Sequence, residues 1–103
     1  MNGRLGTADL VAGVSQDVYS CPAGYAVATV TVVNRAITEC NIKIAVSSSV
    51  SPNPEDYIEW QTVIPGKGHI ERTGVSLEAG KSIIVESDSD NVNCVVWGSE
   101  VGT

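Results

Sequence analysis

Tyr25-Ala26-Val27-Ala28-Thr29-Val30-Thr31-Val32-Val33-Asn34 is the stretch on which the fold turns. Its side chains alternate with a period of two. Ala26, Ala28, Val30 and Val32 therefore share one face of an extended strand, and Val27, Thr29, Thr31 and Val33 share the other. The β-branched residues lose χ1 freedom in a helix and pack well on a pleated surface, so the segment reads as a strand. The first set is expected to face the core.

Working outward from this strand, Cys21-Pro22-Ala23-Gly24 is a turn that ends a short strand over residues 16–20. On the other side, residues 34–39 form a connection of ordinary length to a strand over 40–48, with Cys40, Ile42, Ile44 and Val46 inward. A Ser/Pro/Asn loop containing Pro52 and Pro54 follows. Residues 57–64 alternate again, with Ile58, Trp60, Thr62 and Ile64 on one side and Tyr57, Glu59, Gln61 and Val63 on the other. Turns at Pro65-Gly66-Lys67-Gly68, Glu78-Ala79-Gly80 and Asp88-Ser89-Asp90-Asn91 set off strands over 69–75, 81–87 and 92–101. About seven short strands in a chain of 103 residues predict an all-β antiparallel β-sandwich. The expected organisation is a flexible N-terminal arm over residues 1–13 and a single sandwich domain over 14–103.

A chain of this length hides roughly two-thirds of its surface on folding, enough for one core. Apolar residues make up 43% and charged residues 17%, which is a globular composition. The net charge of −6 offers little to a phosphate backbone, so no nucleic-acid partner is expected. No stretch approaches the roughly 20 apolar residues that span a bilayer, and the opening Met1-Asn2-Gly3-Arg4-Leu5 lacks the apolar run of a signal peptide. No membrane partner is expected, and the chain is expected to be made and kept in the cytosol.

Catalytic chemistry finds little to use. His69 is the single histidine and sits in an alternating strand beside Glu71, with no Ser, Cys or Asp motif of catalytic form around it. Cys21, Cys40 and Cys94 have no paired short spacing of the kind that zinc knuckles use, so reduced thiols are expected. Cys40 and Cys94 fall on inward phases, and Cys21, next to a proline turn, is the one expected to be exposed. Asp88-Ser89-Asp90-Asn91 superficially resembles a calcium loop but lacks the glycine and the closing glutamate that such loops carry. The expectation is a chain with no catalytic residues, no metal and no cofactor.

Apolar residues on outward phases are more informative. Val33, Val63, Ile84, Val95 and Trp97 all oppose the face assigned to the core, and together they predict an interaction surface. Arg4, Leu5, Leu10 and Val11 of the arm are expected to lie along a neighbouring subunit and to order on binding.

Several segments read together carry a resemblance: Gly3-Arg4-Leu5-Gly6-Thr7-Ala8-Asp9-Leu10, Val18-Tyr19-Ser20-Cys21-Pro22, Val33-Asn34-Arg35, Asp56-Tyr57-Ile58-Glu59-Trp60, Ile70-Glu71-Arg72-Thr73-Gly74-Val75, Leu77-Glu78-Ala79-Gly80-Lys81 and Val95-Val96-Trp97-Gly98. The string resembles the small virion structural proteins of tailed bacteriophages, especially those infecting cyanobacteria and other marine bacteria. The resemblance implies a β-sandwich with an assembly role in the virion, put together in the host cytoplasm. The expected function is a capsid decoration or cement protein that binds the head surface as a homo-oligomer, with other virion proteins, of capsid or tail, as partners. The alternative is a tail or fibre module that contacts a neighbouring tail protein or a host-surface glycan or receptor, with Trp60, Tyr57, Tyr19 or Trp97 as an aromatic platform.

Overall fold

The alternation in residues 25–34 is realised as strand β3 (Tyr25–Asn34), in which Ala26, Ala28, Val30 and Val32 are buried. The computed structural model describes residues 2–101. Among them eight strands form two antiparallel sheets of four. Sheet A runs in the order β1 (Asn2–Leu10), β8 (Val92–Val101), β3, β6 (His69–Glu78). Sheet B runs in the order β2 (Gln16–Ser20), β7 (Ser82–Ser87), β4 (Cys40–Ser47), β5 (Tyr57–Ile64). A short 3-10 turn, Pro54–Asp56, leads into β5.

The core lies between the sheets. Sheet A contributes the inward residues of β3 together with Val92, Cys94 and Val96; sheet B contributes Ile42, Ile44, Ile64, Ile83 and Val85. Each such aliphatic side chain removed from water stabilises the fold by about 2 kcal/mol, which makes the period-two pattern the main determinant of the sandwich. Among the described residues Asn34 is the one amide side chain buried in this interior, and its partners explain why it is tolerated. Its Nδ2 donates to the carbonyls of Thr38 at 2.8 Å, Ile64 at 3.2 Å and Pro65 at 3.3 Å, and its Oδ1 accepts from the Ala36 amide at 3.0 Å. It ties the end of β3 to the end of β5.

The arm is a strand. Residues 2–10 form β1, paired with β8 from Asn2↔Ser99 to Leu10↔Val92, and Leu10 is only 2% exposed. Alternation was hard to see here because the inward positions are Gly6 and Ala8 before Leu10, and a register shift between Arg4 and Gly6 breaks the period. Gly6 is required by packing: a Cβ there would lie 2.2 Å from the Val18 carbonyl oxygen, where β1 crosses β2 and closes one side of the sandwich. The domain therefore begins within the supposed arm; Met1, Gly102 and Thr103 lie outside the described residues.

The two central pairings, β3 with β8 and β4 with β7, keep a continuous register. Every pairing that involves an edge strand is shifted: β1 with β8, β2 with β7, β3 with β6 and β4 with β5. Bulges of this kind turn an edge away from further strand pairing. On the open side, Arg72 of β6 bonds Glu59 of β5 at 2.6 Å and links the two edge strands across the sandwich.

Candidate functional site

The two outer faces differ in charge. On sheet A the outward positions of the central strands are Tyr25, Val27, Thr29, Thr31 and Val33 on β3, and Asn93, Val95, Trp97, Ser99 and Val101 on β8. None of them is charged. Tyr25, Val27, Val101 and Trp97, the last 46% exposed, are open to solvent, and Val33 and Val95 are half-buried. The Trp97 Nε1 donates to Thr31 Oγ1 at 3.3 Å, and Thr31 Oγ1 donates to Glu71 at 3.4 Å, which ties the indole to the neighbouring strand. Among the described residues the charges beside this face lie on the flanking strands and loops, as Arg4, Glu71, Glu78 and the Arg35–Asp9 ion pair of 2.6 Å.

The outer face of sheet B, by contrast, carries charge on its central strands, Lys43 on β4 and Glu86 on β7. Lys43 of β4 lies between Glu86 of β7 and the bulged β5, and its ammonium sits 4.3 Å from the centre of the Trp60 ring. Tyr57 meets the same ring edge-on at 4.8 Å. Asp88 accepts from the Asn41 amide at 2.9 Å and from Asn41 Nδ2 at 3.0 Å, and these bonds hold its carboxyl below the usual carboxylate range against the opposing effect of partial burial. Both acidic groups of the 88–91 turn serve the fold, since Asp90 accepts from the Ala12 amide at 3.0 Å.

The structure brings Arg4, Val33, Val95 and Trp97 together on the outer face of sheet A, and places Val63 and Ile84 on the opposite side of the molecule. Two of the expected interface residues are corrected. Leu10 packs in the core, and Ile84, although on an outward phase, is 2% exposed between Ala45 and Asp17 of the flanking strands. Leu5 is half-buried against the core, and Val11 is exposed in the turn after β1. Tyr25, Val27 and Val101 join the uncharged face without having been expected there, although the alternation of β3 already points Val27 outward.

Three further expectations change. Trp60 faces solvent and not the side of Ile58, Thr62 and Ile64, because two residues of β5, Trp60 and Gln61, oppose Lys43 alone and Gln61 takes φ 51°. Tyr19 is buried with its hydroxyl donating to Glu100 at 2.7 Å, so it offers no exposed platform. Cys21 is 1% exposed, its thiol directed at the Ala23 carbonyl. His69 is exposed on β6 opposite Val33. Among the described residues no group of three or more His, Cys, Asp or Glu side chains is placed to hold a metal ion, and no helix is long and apolar enough to cross a membrane. No family model, no curated protein and no solved structure matches the chain.

Proposed function

We propose that this protein is a structural component of a tailed-phage particle, a capsid decoration or cement protein that self-associates through the outer face of sheet A. The observation that carries the reading is the absence of charge on the outward positions of β3 and β8 in a chain of net charge −6. A second copy carries the same negative charge and is repelled by most of the surface; the uncharged face is where two copies approach with the fewest like-charge contacts. Bulges on every edge strand argue in the same direction, because they disfavour assembly by strand addition. The placement on a phage head rests on the sequence resemblance.

Trp97 is the expected anchor. Trp97→Ala should weaken self-association by at least ~2 kcal/mol, or about 30-fold in Kd, with a smaller effect on stability. Sedimentation velocity beside a denaturant melt tests this: unchanged association, or a badly destabilised monomer, overturns the assignment of the face. Density for the chain on the head surface of intact particles tests the location, and density confined to the tail overturns it in favour of a tail or fibre component.

A further inference from the structure

The outer face of sheet B carries a second feature that self-association does not use. Where β4 meets β5, Ile42 pairs with Thr62 and Ile44 with Glu59, so Lys43 faces the extra residue of the bulge. Gln61 accommodates this with φ 51°, a left-handed conformation that is rare for a non-glycine residue inside a strand. Two consequences follow. Trp60 is thrown outward and left 57% exposed, steadied by Lys43 and Tyr57. Beside it opens a pocket of about 190 Å³ lined by Asn41, Lys43, Gln61, Glu86, Ser87 and Asp88.

The polar groups of this pocket are of mixed kind. The Gln61 carboxamide makes no hydrogen bond to the described residues, and Lys43 makes no ion pair among them. Glu86 is engaged at one oxygen by Ser15 at 3.0 Å, and Asp88 is held by Asn41. An anion would meet two carboxylates and a metal cation would meet the ammonium, whereas hydroxyl groups donate to the one and accept from the other. The volume is below the roughly 300–1,000 Å³ of pockets that enclose a drug-sized ligand, so it suits one ring of a longer molecule. An exposed indole next to such a pocket offers an apolar surface to the C–H face of a neighbouring ring.

We infer that the pocket beside Trp60 is a subsite for a neutral saccharide, with Gln61, Lys43 and Glu86 bonding hydroxyls of one sugar ring and Trp60 carrying an adjacent part of the chain. It lies on the opposite side of the sandwich from the uncharged face and does not depend on the self-association reading. The left-handed Gln61 is the strained element that serves it.

The test is a titration of the full-length, ¹⁵N-labelled protein with maltotriose, chitotriose and methyl α-mannoside, with sodium phosphate and calcium chloride as separate arms. The two indole N–H signals report the two faces. The Trp60 signal should shift saturably with at least one saccharide while Trp97 stays in place, and Trp60→Ala, followed at the backbone amides of Lys43 and Gln61, should weaken that binding by about tenfold or more. Gln61→Gly keeps the fold in view: it should raise the melting temperature by relieving φ 51° and yet weaken saccharide binding. The inference is overturned if no saccharide of the panel moves Trp60, if phosphate or calcium moves it instead, or if Gln61→Gly binds as the parent does.

Discussion

At the scale of single residues the thiols are the sharpest probe of the core. Cys21, Cys40 and Cys94 are all free and buried. Burial pushes the Cys94 thiol up to about 12, and burial together with the nearby Asp88 raises that of Cys40. The thiolate is the reactive species, so iodoacetamide at about pH 7 should modify Cys40 and Cys94 only as fast as the sandwich opens. A rapid phase assigned to Cys94 by peptide mapping would contradict its place between the sheets. The same shift fixes the sign of a pH effect. The folded chain keeps a proton that the unfolded chain loses near its ordinary pKa of about 8.5, so this contribution is complete below that pH and is lost as pH rises toward the folded value. Urea midpoints should fall between about pH 8 and pH 10, and Cys94→Ala should flatten part of that slope.

At the scale of elements, deletion of β1 separates an arm from a strand. Removing residues 1–10 takes away Leu10, uncovers the inward side of β8 at Val92, Cys94 and Val96, and leaves the β8 backbone unpaired along that edge. The loss of one buried leucine alone costs about 2–5 kcal/mol, comparable with the whole stability of a small domain. The truncated chain should therefore lose its cooperative thermal transition by circular dichroism; a melt like that of the parent would restore the arm. The seven strands β2 to β8 were all legible in the sequence, set off by turn residues, and most plainly β3, β4, β7 and β8, whose inward positions carry apolar residues at every second place or nearly so. β1 was not, because glycine and alanine fill its inward positions and backbone pairing leaves no trace in hydropathy. The phase of β5 was misread at Trp60, because the bulge sets both Trp60 and Gln61 opposite Lys43 while Thr62 and Ile64 keep the inward side that alternation gives them. The candidate surface was half legible for a related reason: alternation says which residues point outward but not on which sheet. Val95 and Val63 share a phase yet lie on opposite sides of the molecule.

At the scale of the whole molecule, net charge and its distribution make opposite demands on assembly. A charge of −6 repels a second copy at long range, while in the proposed assembly the uncharged outer face of β3 and β8 would form the contact. Salt separates these contributions. The Debye length falls from about 10 Å at 0.1 M to about 3 Å at 1 M, which removes the long-range repulsion and leaves apolar burial intact. Self-association through this face should therefore tighten as sodium chloride is raised across that range, and the Trp97→Ala chain should remain the weaker associator at every concentration. If the contact were instead built from the rim charges Arg4, Glu71 and Glu78 against opposite charges on a second copy, screening would loosen it. Sedimentation equilibrium at the two salt concentrations decides between them. A Kd that rises with salt would move the interface from the centre of sheet A to its rim, and with it the role assigned to Trp97.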